Sequence, residues 1–159
     1  MTSTSQPFDI PERILVEDDQ AEVREVVASY LTSAGYECKV ADAKNALLML
    51  EAKEKVDLVC CGVTEWSEAE FKRLISATVW RNIPIVVSMD ARDVQQIVDV
   101  LQKGAYDVLP KPCVRRHLIL IVRRALEHRR LKMENLFFRD RLNLGSGFKI
   151  PRSVYKDHL

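Results

Sequence analysis

The chain has 159 residues, 47% hydrophobic and 30% charged, with a formal net charge of +1 and a mean hydropathy of -0.12. That length suits one domain with a full core plus a tail, and the near-neutral balance argues against a protein that coats nucleic acid or an acidic solvating chain. No apolar run approaches the roughly 20 residues that cross a bilayer. The opening MTSTSQPFDIPE lacks the basic and apolar regions of a signal peptide, so residues 1–12 read as a disordered lead-in and the expected location is the cytoplasm.

In chain order, short apolar runs alternate with longer periodic stretches. RILVE (13–17) reads as a strand. AEVREVVASYLTSAG then sets Val23, Val26, Val27, Tyr30 and Leu31 at helical spacing and stops at Gly35. ECKVA (37–41) alternates as a strand, and AKNALLMLEAKE carries Ala46, Leu47 and Leu50 on one helical face. DLVCC is the third strand, followed by a helix around EAEFKRLISATVW with Phe71, Leu74 and Ile75 inward. IPIVVSM (83–89) is a β-branched fourth strand, and DVQQIVDVLQKG is a helix closed by Gly104. YDVL is the fifth strand. PKPCVRRHLILIVRRALEHRRLKMENLFF opens on a proline stop and runs on as a long helix.

This alternation predicts a doubly wound α/β domain over residues 13–130, with a five-stranded parallel sheet covered on both faces. Residues 131–159 form a helical extension and tail. The four cysteines, Cys38, Cys60, Cys61 and Cys113, show no metal-ligand spacing and read as buried, reduced thiols. In open α/β sheets, ligands bind outside the carboxyl ends of the strands. The residues placed there are Glu17, Asp18 and Asp19, then Gly62, Val63 and Thr64, then Met89 and Asp90, and finally Pro110, Lys111 and Pro112. An acidic pair and a lysine therefore meet at one mouth, where two carboxylates need a cation or the lysine beside them.

On ILVEDD, DLVCC, IPIVVSM and QKGAYDVLPKP, the sequence resembles the receiver domain of bacterial two-component response regulators across residues 12–130, nearest in style to the nitrogen-regulator type. The resemblance implies a flavodoxin-like (βα)5 fold. It also implies a site, because in that family an acidic pair holds Mg2+ and a strand-three aspartate accepts a phosphoryl group from a histidine kinase. A strand-four hydroxyl and a strand-five aromatic respond, and a lysine pairs with the phosphoryl group. Asp18 and Asp19 match the acidic pair and Lys111 matches the lysine. The phosphoacceptor position falls on Gly62, the switch hydroxyl on Met89 and the aromatic on Val108.

A glycine has no side chain to phosphorylate, and its neighbours are poor substitutes. Asp57 opens the third strand, roughly 16 Å from the mouth. Ser88 lies one residue short of the switch position and so turns to the other face. Two readings stand for Asp18 and Asp19. Either they bond Lys111 directly, or they hold a weak Mg2+ site that lacks one of three carboxylates. No other cofactor is implied. A sharper expectation makes Asp90 a fixed negative charge that keeps Lys111 in an activated-like pose.

On the long helix, Arg116, Arg123 and Arg130 recur every seven residues and share a stripe. Leu118, Val122, Ala125 and Leu126 form the opposite stripe, facing the sheet or a second copy. Met133, Leu136, Phe137 and Phe138 lie beyond the domain and call for a partner, such as a homodimer through this helix. The final LGSGFKIPRSVYKDHL is too short for an output domain, and no helix-turn-helix or P-loop motif follows; a stand-alone receiver and a capping tail both remain open. His117, His128 and His158 have no ligand spacing. The expected function is a receiver-like signalling module that binds a protein partner without phosphorylation at the usual position. It is not expected to be an enzyme, since the mouth offers no nucleophile–base pair. The alternatives are a phosphorelay regulator with a nonstandard acceptor and a regulator that binds DNA through the basic helix, with nucleic acid the less favoured partner.

Overall fold

The computed structural model describes residues 10–146 except 91 and 93. Most of the expected lead-in, and the tail from 147 with His158, lie outside the described residues. Among the described residues the elements are β1 (Arg13–Glu17), α1 (Ala21–Ser33), β2 (Glu37–Ala41), α2 (Ala43–Glu51), β3 (Leu58–Gly62) and α3 (Glu68–Thr78). They continue as β4 (Ile85–Met89), α4 (Val94–Gln102), β5 (Asp107–Pro110) and α5 (Arg115–Ser146). All strand pairs are parallel, in the order β2-β1-β3-β4-β5. This is the doubly wound sheet that the alternation predicts, in the flavodoxin-like order that the resemblance implies.

Period-two alternation splits the central strands between two cores. Leu15, Val59, Cys61, Val87 and Met89 face the layer of α2, α3 and α4. Ile14, Val16, Cys60, Val86 and Leu109 face α1 and α5. The adjacent thiols Cys60 and Cys61 thus lie in opposite cores, and all four cysteines are free. Leu118, Val122, Ala125 and Leu126 are buried in the α1/α5 core, so the inner stripe of α5 packs on the sheet and not on a second copy. Each such leucine or valine contributes about 1.5–3 kcal/mol by leaving water.

Local chemistry places the helix ends. Asp42 accepts a hydrogen bond from the Asn45 backbone N–H at 2.9 Å and so caps α2, while Ser67 does the same for Glu70 at 3.3 Å at the start of α3. Gly104 turns the chain out of α4 at a φ of +119°, a conformation that side chains disfavour. The third helix is shorter than its sequence pattern. It ends at Thr78, whose hydroxyl donates to the Leu74 carbonyl at 2.9 Å, and a 3-10 turn over Val79–Arg81 follows. Trp80 is therefore outside the helix and 90% exposed.

At the amino-terminal edge of the sheet, Asp57 accepts from the Arg13 backbone N–H at 2.7 Å and from Arg129 Nη1 at 3.0 Å. Arg129 Nε also donates to the Asn82 carbonyl at 3.1 Å. This clasp fixes α5 against β3 just before the helix leaves the domain.

Candidate functional site

The strand order reverses between β1 and β3, which is where doubly wound sheets open a crevice at their carboxyl ends. Glu17 pairs with Cys61 in register, and Gly62 closes β3 beside Ser88 of β4. The loop after β1 carries Asp18 and Asp19 over that crevice, and the segment after β5 brings in Lys111, whose bond to Pro112 is cis.

Asp18 and Lys111 meet there. Lys111 Nζ lies 2.8 Å from Asp18 Oδ2, with side-chain exposures of 20% and 2%. The other carboxylate oxygen, Oδ1, accepts the Gln20 N–H at 2.9 Å, and Arg24 Nη1 donates to the Asp18 carbonyl at 2.6 Å. A buried carboxylate held this way is satisfied on both oxygens. Asp19 is exposed and lines the neighbouring cavity, so of the two carboxylates expected at the lysine the structure brings only Asp18 to it.

Gly62 explains how Asp18 fits. A Cβ built on Gly62 would lie 1.8 Å from Asp18 Oδ2 and 2.7 Å from its Cγ. The Asp18 carboxylate therefore occupies the room that any side chain at position 62 would need. This donor set does not fit a Mg2+ ion. That ion wants near-octahedral oxygen ligation, whereas Asp18 is committed to Lys111 and Gln20 and Gly62 offers no side-chain ligand. Among the described residues no group of three or more His, Cys, Asp or Glu side chains is placed to hold a metal.

Met89 is 2% exposed and packs in the core under α3 and α4, where half-buried Val108 also packs. Neither presents a hydroxyl or an aromatic ring. Ser88 faces the opposite side, among Cys60, Val86 and Leu109. Asp90 corrects an expectation. Its carboxylate is held by the Arg92 guanidinium, which keeps its pKa below the usual carboxylate range, while Lys111 is on Asp18. Asp90 therefore does not set the pose of Lys111. An exposed carboxylate beside an arginine two residues away takes the nearer partner.

Glu17 is placed at the mouth with Asp18 and Asp19 by sequence reasoning, which gives it no role of its own. It is 7% exposed, and burial pushes its pKa up to about 7, helped by the nearby carboxylates of Asp19, Asp18 and Glu70; only its hydrogen bond with Cys61 opposes the shift. The same burial, followed by the charge of Glu17, raises the Cys61 thiol well above its ordinary value. The available signal was the strand period. Glu17 shares the face of Leu15 and so lies beneath α2 and α3, not in solvent with Asp19.

On α5, Arg116, Arg123 and Arg130 are exposed, and Arg130 Nη2 lies 3.7 Å from Glu12. Farther along, Phe137 and Phe138 are 56% and 59% exposed and meet edge-on at 5.9 Å, with Arg141 over the Phe137 ring. No helix among the described residues is long and apolar enough to cross a membrane.

A doubly wound sheet in this strand order, with an acidic loop after β1 and a lysine after β5 at its crevice, defines a receiver-type signalling domain. The chain belongs to the response regulator receiver domain family, which it matches over residues 14–123. It is 33% identical over 114 residues to the DNA-binding transcriptional regulator NtrC of Bradyrhizobium sp. (strain RP501 Parasponia), a match covering 71% of this chain and 24% of that protein. It is 29% identical over 125 residues to the nitrogen assimilation regulatory protein NtrX of Azorhizobium caulinodans, covering 76% and 27%. Among solved structures, NtrX from Brucella abortus in complex with ADP superposes with a TM-score of 0.73 at 30% identity, over 84% of this chain and 30% of that one. The receiver domain of the same protein, solved alone, gives 0.63 at 30% identity over 72% and 98%. The nitrogen-regulator style of QKGAYDVLPKP thus extends across the receiver. The chain spans about a quarter of the length of the curated relatives it matches.

Proposed function

We propose that this receiver signals through protein contacts without phosphorylation at position 62. The observation that supports the reading is the Asp18 carboxylate itself, seated where a phosphoacceptor side chain would stand and bonded at 2.8 Å to Lys111. In a phosphorylated receiver the lysine would be drawn to the phosphoryl group; here it already has a permanent anionic partner. Met89 and Val108 add to the argument, because neither can follow a phosphoryl group by a hydroxyl contact or a ring rotation. The thiol that meets a carboxylate at the crevice, Cys61 beside Glu17, is buried and its pKa is raised well above the ordinary value, so it is held as an unreactive thiol, which supports a binding role over a catalytic one. A cytoplasmic location fits a receiver of this kind.

The partner surface we favour is the distal half of α5. Leu131, Met133, Leu136, Phe137, Phe138 and Leu142 are each more than a third exposed there. Isolated surface apolar residues need no explanation, but a sustained run on one projecting helix does. A homodimer through this segment would bury it, with Arg116 and Arg123 left for an acidic partner and Arg130 beside Glu12. The name of the Bradyrhizobium relative speaks of DNA binding, and that belongs to a protein of which this chain spans about a quarter.

The test is a backbone-amide NMR spectrum of the chain with and without Mg2+ and beryllofluoride, which mimics the phosphoryl group. The amides of Gly62, Met89, Val108 and Lys111 should stay in place. Saturable movement of all four would overturn the reading.

A further inference from the structure

Between α2 and α3, on the Leu15 face of the sheet, lies a cavity of about 430 Å3, within the roughly 300–1,000 Å3 range of small-molecule sites. Glu17, Cys61 and Gly62 line it from the sheet, while Leu47, Trp66 and Phe71 supply apolar wall. The two rings stand 5.2 Å apart and tilted at 47°, with Phe71 buried and Lys103 Nζ 5.6 Å from the Trp66 ring centroid.

The charges in this cavity are unbalanced. Glu17, Asp19, Glu51, Glu65 and Glu70 line it against Lys44 and Arg73. Glu17 is the buried one. The groups acting on it are Asp18 and Asp19 from its own loop, Glu70 from α3 and the Cys61 thiol from β3. None of these is a cation, and Lys111 is spent on Asp18. A buried carboxylate without a cation is costly, and an anionic ligand would worsen it. A neutral ligand would leave the imbalance standing. No divalent metal fits, since no group of three ligating side chains is gathered among the described residues.

We propose that this cavity binds a small organic cation with a flat apolar body, an arylalkylamine, with its ammonium at Glu17 and its body against Trp66, Phe71 and Leu47. An ammonium against a buried carboxylate makes a charge-assisted hydrogen bond, which is roughly twice as strong as a neutral one, and the aromatic walls take the apolar body. The site gives this receiver a ligand input beside a crevice that carries no phosphoacceptor. It is independent of the phosphorylation-free reading, because amine binding and phosphoryl transfer are read in separate assays.

The experiment titrates the full 159-residue chain with tryptamine by calorimetry, alongside neutral 3-methylindole and anionic indole-3-propionate. Saturable binding is expected for tryptamine alone. Since protonation removes the counter-charge of Glu17, affinity should fall about tenfold from about pH 8 to about pH 6. Glu17→Gln should weaken binding at pH 8 by about tenfold or more and abolish that pH dependence. Leu47→Trp, which fills the cavity from α2 without touching the carboxylate, should eliminate binding; with substitutions on two different elements, a folding failure in one leaves the other decisive. Equal binding of the three compounds, indifference to both substitutions, or no saturable tryptamine binding at millimolar concentration would overturn the proposal.

Discussion

Asp18 and the side-chain position of residue 62 compete for one space: a Cβ at Gly62 would stand 1.8 Å from Asp18 Oδ2. Real Cβ atoms do not approach so closely, so the buried Asp18–Lys111 pair and a side chain at 62 exclude each other in this conformation. The glycine makes room for the Asp18–Lys111 ion pair.

Gly62→Ala should destabilise the domain by about 1–3 kcal/mol, the usual cost of overpacking. Urea denaturation of Gly62→Ala, Asp18→Ala and the double variant checks the cause. If the two residues share space, the methyl is accommodated once Asp18 is shortened, and the double variant should be more stable than the sum of the singles by about 1 kcal/mol or more. Strict additivity would show that position 62 is constrained by something else.

Lys111→Met should cost about 3 kcal/mol, because it strands a carboxylate that is 2% exposed. Lys111→Met combined with Asp18→Asn should recover part of that loss, since the buried group is then neutral. Thermal melts of the two variants make the comparison. A double variant less stable than Lys111→Met alone would contradict the ion-pair account.

Glu17 should make the domain more stable in mild acid. Its folded pKa of about 7 lies above the ordinary 4.5, so the folded state holds the proton more tightly than the unfolded chain. The contribution is fully present below about pH 4.5 and is lost as pH rises through about 7, on the order of 3 kcal/mol in all. Denaturation midpoints of wild type and Glu17→Gln between about pH 5 and pH 8 would check this. The wild-type midpoint should fall across that window, and the glutamine variant should be flatter and more stable at the upper end.

Phe137→Glu with Phe138→Glu should dissociate the proposed homodimer while leaving the melting temperature of the monomeric unit unchanged, because both rings lie beyond the packed part of α5 and are exposed. Sedimentation equilibrium distinguishes the states. A wild-type chain that stays monomeric at high micromolar concentration would remove the dimer from the account.

Much of the fold was legible because the strands are near-continuous apolar runs and the helices carry clear 3.6-residue stripes. Leu118, Val122, Ala125 and Leu126 announced the inner face of α5, although only the packing decided between the sheet and a second copy. Trp80 misled the end of α3, since an apolar residue at helical spacing carries no sign of its exposure, and the Thr78 hydroxyl that turns back to Leu74 is a three-dimensional event. At the site, Asp18, Lys111 and Gly62 could be brought together from strand ends alone. That Asp18 would take the lysine while Asp19 stayed exposed could not, because adjacent carboxylates on a loop look alike in sequence. Glu17 was hidden in plain view: within ILVEDD it reads as the first of three acids, yet by strand period it belongs to the core.

The central claim is that position 62 and its surroundings take no phosphoryl group. Incubation of the chain with acetyl phosphate and Mg2+, beside a receiver that retains its acceptor aspartate to prove the donor active, followed by intact-mass measurement, tests it most directly. The account predicts an unchanged mass for this chain and a phosphoryl adduct on the control. A stable phosphoryl adduct on this chain, mapped to any residue of the crevice, would contradict it.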